Sequence, residues 1–163
     1  MTQCNMEGRM SGVLYYEDFH VGQVLTTDHY RIDKDHAIAF AQAYDPQAQH
    51  LDEELAKDSL FGAMVVSGWH TAAISMRLKL SSDFARIAAG VVGMGLESVR
   101  WPRPVYPGDT LHVTLTILSM RPSATRPDRG IVKYKVRTYN QHDELVMESV
   151  TTVLMPRRPV EAA

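Results

Sequence analysis

The chain has 163 residues, 45% of them hydrophobic and 22% charged, which is enough for one folded core and too apolar for general disorder. Seventeen Lys and Arg against nineteen Asp and Glu leave a net charge of -2, so there is no overall basic footprint for nucleic acid. The one cysteine, Cys4, excludes an internal disulfide framework and a multi-cysteine metal site, and a lone free thiol suits the cytoplasm. No apolar run reaches the ~20 residues that a bilayer crossing takes. The first dozen residues lack the apolar stretch of a secretory signal. Neither nucleic acid nor membrane is therefore expected as a partner.

Residues 24–30 (VLTTDHY) read as a first strand. Asp33 follows as a helix N-cap, and behind it Ala37, Phe40, Ala41 and Tyr44 fall on one helical face. Pro46 disfavours helical geometry at Asp45 and ends that helix. The acidic segment 52–57 reads as another helical turn or two. Ser67 is the next N-cap, followed by Ala72, Ala73, Met76 and Leu80 on one face, with Ile74 and Leu78 broadening the stripe. A helix apolar over so much of its surface is expected to be central and buried.

Four strands follow. Residues 90–101 form a weaker one, loosened by Gly93 and Gly95. Leu111, Val113, Leu115 and Ile117 alternate cleanly with His112, Thr114 and Thr116. Val132, Tyr134 and Val136 alternate with Lys133, Lys135 and Arg137, which predicts a basic outer face. Residues 145–155 are rich in Val and Thr and form the last strand. The turn residues at 107–109 (PGD) and 126–130 (RPDRG) fit hairpin connections. The order predicts an α+β fold, with one buried helix against an antiparallel sheet.

The chemistry concentrates between residues 40 and 70. Asp45 and His50 lie five residues apart just beyond a helix end, where two titratable groups can converge on one small site. The carboxylate could accept a proton from water, and imidazole, which titrates near neutrality, could orient that water and share the acid–base work. If Ser67 is the N-cap, Gly68 is the first helical residue. Its N–H then lacks an intrahelical acceptor and lies at the positive end of the helix dipole. With no Cβ, Gly68 leaves that N–H open to an acyl carbonyl, which it would polarise. A base, an acid and an oxyanion donor are the requirements for hydrating a double bond beside a thioester.

At these residues the sequence resembles the MaoC-like dehydratases, the hot-dog-fold family that includes R-specific enoyl-CoA hydratases. The family pattern runs Asp-x-Asn-Pro-x-His, then Phe-Gly, then His-Gly or Ser-Gly at the start of the hot-dog helix. The matching residues are Asp45, His50, Phe61 and Gly62, and Ser67 and Gly68. Residues 100–111 (RWPRPVYPGDTL) resemble the strand–turn segment with a Pro-Val-x-x-Gly-Asp core. The sequence departs from the pattern at Gln47, in place of Asn, and at Ala48, in place of Pro. Met76 stands where well-studied hydratases carry a Ser on the helix.

The resemblance implies a single hot-dog domain over residues 16–156, with residues 1–15 a flexible extension and 157–163 a tail. It implies Asp45 and His50 as the catalytic pair, and Ser67, Gly68, Phe61 and Gly62 as substrate-binding residues. The implied activity is reversible hydration of an enoyl thioester carried by CoA or an acyl carrier protein, with no metal or bound redox cofactor. A homodimer or higher oligomer is expected. Thioester hydrolysis, which other hot-dog proteins perform, and acyl-thioester binding without turnover are the alternatives.

Other residues have plainer readings. His70, in the first turn of the buried helix, reads as a satisfied core or interface histidine. A metal site from His36, His50 and His70 matches no ligand spacing with a known mechanism. Arg121, Arg126, Arg129, Lys133 and Lys135 read as a solvated hairpin, with some within reach of a CoA nucleotide. Met64, Met76 and Met94 are expected to fill gaps in the core.

Overall fold

The structure, a computed structural model, describes residues 12–87 and 90–159. In chain order the elements are β1 (Val24–Thr26), β2 (Tyr30–Arg31), α1 (Lys34–Tyr44), α2 (Ala48–Leu51), α3 (Glu53–Ala56), α4 (Gly68–Lys79), β3 (Val92–Arg100), β4 (Thr110–Pro122), β5 (Arg129–Tyr139) and β6 (Leu145–Pro156). The strands form one antiparallel sheet in the order β1-β4-β5-β6-β3, with β2 also on β4. The α+β architecture expected from the sequence is the one observed.

The alternation along β4 sets the inner face of the sheet. Leu111, Val113, Leu115 and Ile117 are buried and join Val132, Tyr134 and Val136 of β5 and Val146, Val153 and Met155 of β6 in one core. Ile74 and Leu78 bring α4 down onto it, and burying each such side chain contributes ~1.5–3 kcal/mol. The expected first strand is two short ones. Between them the Thr27 hydroxyl takes the Val113 N–H at 2.9 Å and donates to the Asp28 carbonyl at 2.8 Å, so a side chain enters the ladder and the strand breaks.

Two expectations fail in instructive ways. The turn at 107–109 is no hairpin, because β3 lies at the sheet edge beside β6 while β4 pairs with β1, β2 and β5. The β3–β4 connection instead braces the helices. Val105 accepts from the Val66 N–H at 2.8 Å ahead of α4, and Asp109 accepts from Ile32 at 2.8 Å ahead of α1. The 126–130 stretch does close a hairpin, with Pro122 opposite Gly130. Gly130 is required there, because the Tyr16 ring occupies the space where a Cβ would stand.

The second failure concerns α4. Ala73, Met76 and Leu80 are exposed and Ala72 is only half-buried, whereas Thr71, Ile74, Ser75, Leu78 and Lys79 face inward. The helix is central, but its inner face mixes apolar residues with a polar seam. Ser75 Oγ donates to the Thr71 carbonyl and accepts from Thr138 Oγ1, both at 2.7 Å. Of the methionines expected to fill the core, Met64 is buried, whereas Met76 and Met94 are each 54% exposed. On the outer sheet face the expected basic surface is neutralised. Lys133 pairs with Glu97 at 2.6 Å, and Arg137 and Lys135 share Glu148 at 2.7 and 3.6 Å.

Residues 1–11 and 160–163, which hold most of the expected extension and tail, lie outside the described residues. The described portions are pinned. The Leu14 N–H donates to Arg86 at 2.9 Å, Arg157 pairs with Glu17 at 2.9 Å, and Arg158 pairs with Asp18 at 2.7 Å.

Lys79 ends the polar seam. It is 5% exposed, its Nζ donates to Tyr134 Oη at 3.3 Å, and it sits over the Tyr134 and Phe84 rings. No carboxylate pairs with it among the described residues, and burial pushes its ammonium pKa down to about 8. Between pH ~8 and the ordinary lysine value of ~10.4, unfolded Lys79 binds a proton that folded Lys79 has lost. Stability therefore rises with pH across that window, by about 3 kcal/mol in all at ~1.4 kcal/mol per pH unit. Burial also lifts the Tyr134 phenol to about 12, which lowers stability above pH ~10. Denaturant unfolding between pH 8 and 10 is expected to show the rise, and Lys79→Met to flatten it.

Candidate active site

Three helix ends meet at the site. Asp45 is the C-cap of α1, and its N–H donates to the Ala41 carbonyl, so its side chain leaves the helix as the chain turns. His50 lies on α2, a single helical turn that hydropathy periodicity does not reveal. Ser67 caps α4, accepting from the Trp69 N–H at 3.2 Å.

The side chains converge. Ser67 Oγ donates to Asp45 Oδ2 at 2.6 Å, and His50 Nε2 lies 3.5 Å from the same oxygen. Ser67 and His50 are buried, with Asp45 half-buried. On the other side of the ring, His50 Nδ1 lies 2.8 Å from the Val65 carbonyl. A carbonyl only accepts, so Nδ1 carries a proton, and in the neutral form of the ring the lone pair of Nε2 is turned toward Asp45. In that form a carboxylate oxygen and an imine nitrogen face each other, both acceptors. Protonation of His50 would close this gap as an ion pair. With His50 neutral, a water lying to the side of the pair could donate one hydrogen to each.

Asp45 Oδ1 is held by Gln47 Nε2 at 2.7 Å, and Gln47 Oε1 in turn accepts from Gln49 Nε2 at 2.9 Å. The Gln47 amide, then the Ser67 hydroxyl, hold the Asp45 carboxyl below the usual carboxylate range, against the raising effect of burial, and His50 adds to this only in its protonated form. Sequence reasoning noted Gln47 only as a departure from a pattern and missed its bond. The signal available was an amide two residues from the carboxylate, within side-chain reach of it. The role of Val65 runs through its backbone and leaves no trace in side-chain chemistry.

Gly68 is the first residue of α4, and the Ser67 cap goes to Trp69, so the Gly68 N–H has no intrahelical acceptor and no cap. The reason for glycine here is more specific than an open amide. A Cβ would stand 3.0 Å from the Trp101 ring, whose Nε1 donates to the Gly68 carbonyl at 3.0 Å. Trp101 packs edge-on against Trp69 at 5.3 Å, so two indoles frame the helix start.

Phe61 and Gly62 are not part of the hydrogen-bonded cluster. They sit on an exposed turn closed by the Gly62 N–H on the Ser59 carbonyl at 3.1 Å. Gly62 borders a separate groove of about 860 Å³ with Arg31, Lys34, Lys57 and Tyr106, which reaches neither Asp45 nor His50. Lys34 and Lys57 there are already paired with Glu53 and Glu54, each at 2.7 Å. His70 is buried and stacked on Phe40 at 4.5 Å, and its Nδ1 has no hydrogen-bond partner among the described residues. Burial, with a smaller effect from His36, keeps its pKa low. Among the described residues no group of three or more His, Cys, Asp and Glu converges to hold a metal.

Comparison with known proteins places this geometry. The MaoC like domain matches residues 18–140. The chain belongs to the MaoC-like dehydratase family. An uncharacterized Bacillus subtilis protein, YdeM, is 33% identical over 141 residues, covering 86% of this chain and 98% of its own. The crystal structure of a MaoC-like dehydratase from Rhodospirillum rubrum is 46% identical with a TM-score of 0.85, covering 90% of this chain and 99% of that one. The unliganded R-hydratase PhaJ1 from Pseudomonas aeruginosa is 25% identical with a TM-score of 0.70, covering 91% of each chain. The fold of this MaoC-like chain is accordingly the hot-dog fold.

Proposed function

We propose that this MaoC-like protein adds water reversibly to an α,β-unsaturated acyl thioester, giving the 3-hydroxyacyl thioester. The observation that carries the reading is Asp45 Oδ2 lying 3.5 Å from His50 Nε2 and joined through Ser67 to the helix start that presents Gly68. With His50 neutral, a water beside the pair donates one hydrogen to Asp45 Oδ2 and one to His50 Nε2, which leaves an oxygen lone pair free to attack. The thioester carbonyl docks on the Gly68 N–H, where the α4 dipole favours negative charge. The water oxygen bonds to the β carbon as one of its protons passes to the Asp45–His50 pair. The π electrons move to the carbonyl oxygen as an enolate, and return as the pair delivers a proton to the α carbon. No net proton is gained or lost, and the two groups act as one coupled unit.

The carrier is CoA or an acyl carrier protein. Hydrolysis is the competing chemistry on this fold and is separated by thiol release. We also propose that the working unit is a homodimer. The edge strand β3 exposes Val92, Met94 and Leu96, and α4 exposes Trp69, Met76 and Leu80, each by more than half. An unpaired apolar edge strand and an exposed apolar helix face are surfaces that soluble proteins cover.

Hydration of crotonyl-CoA is expected from the wild type without release of free CoA. Asp45→Asn and His50→Ala are each expected to lower kcat by about 10²-fold or more. Wild-type activity in both variants, or stoichiometric thiol release, contradicts the reading. Sedimentation is expected to give twice the 18.3 kDa chain mass, and Met94→Asp with Leu96→Asp to give a monomer. A monomeric wild type removes the dimer.

A further inference from the structure

The segment that carries His50 also carries an amide relay aimed at Asp45. Gln47 Nε2 donates to Asp45 Oδ1 at 2.7 Å, and Gln49 Nε2 donates to Gln47 Oε1 at 2.9 Å. A glutamine amide presents an oxygen or a nitrogen according to which way it is turned. Turned the other way, Gln47 would set its oxygen against a carboxylate oxygen. The Gln49 N–H on Gln47 Oε1 selects the productive orientation, so Gln49 acts on Asp45 through Gln47.

The backbone holds both amides in place. The Gln47 N–H donates to the Asp45 carbonyl at 2.8 Å, and the Gln47 carbonyl accepts from the His50 N–H at 2.9 Å. The Gln49 carbonyl accepts from the Val65 N–H at 3.0 Å, while the Val65 carbonyl takes His50 Nδ1 at 2.8 Å. One residue, Val65, therefore grips the relay and the imidazole together. With Oδ1 occupied by Gln47 and Oδ2 bonded to Ser67, the carboxylate plane is fixed from both sides, and Oδ2 is the oxygen turned to His50.

We propose that Gln47 and Gln49 are positioning residues, a two-amide relay that locks the Asp45 carboxylate so that Oδ2 faces His50 and the reacting water. The proposal rests on Asp45 acting as the base. The ionised state of Asp45 is favoured by the same bond, the Gln47 amide being the foremost of the groups that hold its carboxyl low. Both glutamines lie toward the surface, Gln47 exposed and Gln49 half-buried, so their replacement leaves the core untouched.

The test titrates the Asp45 carboxyl by carbon NMR and records pH–rate profiles for crotonyl-CoA in the wild type, Gln47→Leu, Gln49→Leu and the double variant. Gln47→Leu is expected to move the Asp45 titration and the acid limb of kcat upward together. It should lower kcat about tenfold, the worth of one hydrogen bond to a charge, with KM little changed. Gln49→Leu is expected to shift both in the same direction by less. The double variant should match Gln47→Leu alone, because Gln49 works only through Gln47. An unmoved Asp45 titration in Gln47→Leu, or losses that add in the double variant, overturns the relay. The NMR titration reads the relay in the resting protein. A wild type that turns over no enoyl thioester therefore overturns the functional reading separately from the relay.

Discussion

One hydroxyl group ties the site together. Ser67 Oγ donates to the Asp45 carboxylate at 2.6 Å and accepts from the Trp69 N–H at 3.2 Å. It thus joins the end of α1 to the start of α4, and does so with the only proton and one of the lone pairs a serine has. Because the cap is spent on Trp69, the Gly68 amide stays available while the carboxylate is held beside it. Structural capping and site assembly are here the same two hydrogen bonds. The β3–β4 connection supports the junction from below. Val105 fixes the segment ahead of α4, Asp109 fixes the segment ahead of α1, and Trp101 closes over Gly68.

The electrostatics divide the groups. Asp45 is surrounded by donors and is held ionised by hydrogen bonding in spite of partial burial. His50 spends its Nδ1 proton on a backbone carbonyl, which fixes the ring and its tautomer, so that Nε2 is the nitrogen free to exchange a proton. Lys79, deeper along α4, has no such compensation. Its burial beside two aromatic rings lowers its pKa with no carboxylate in return, a cost to stability carried in the core. The polar seam of Thr71, Ser75 and Lys79 makes the inner side of α4 less apolar than its sequence stripe suggests.

Much of the fold is legible in the sequence where one physical rule acts alone. The alternation from Leu111 to Ile117 has a single buried face to satisfy, and the strand appears where it is expected. Asp33 caps α1 through the His36 N–H, and the proline after Asp45 ends it. The reading fails on α4 because the helix has two apolar faces and periodicity does not say which one meets the chain's own sheet. Ile74 and Leu78 turn inward, while Met76 and Leu80 remain outside. It fails again at β3, where a nearby turn suggests a hairpin although the strand sits at the opposite edge of the sheet. At the site, Asp45, His50, Ser67 and Gly68 are legible because their chemistry is carried by residue type. Phe61 and Gly62 match by pattern, yet lie on an exposed turn outside the cluster. The Gln47–Gln49 relay and the Val65 carbonyl depend on where a side chain and a backbone group point, which residue types do not encode.

The central claim is that carboxylate, imidazole and helix-start amide act on one thioester. A crystal structure with a bound 3-hydroxyacyl-CoA tests it most directly. The account predicts the thioester carbonyl oxygen at ~2.7–3.1 Å from the Gly68 nitrogen, with the 3-hydroxyl within hydrogen-bond reach of both Asp45 Oδ2 and His50 Nε2. An acyl group seated in the groove of Lys34 and Tyr106, with nothing in contact with Gly68, would contradict it.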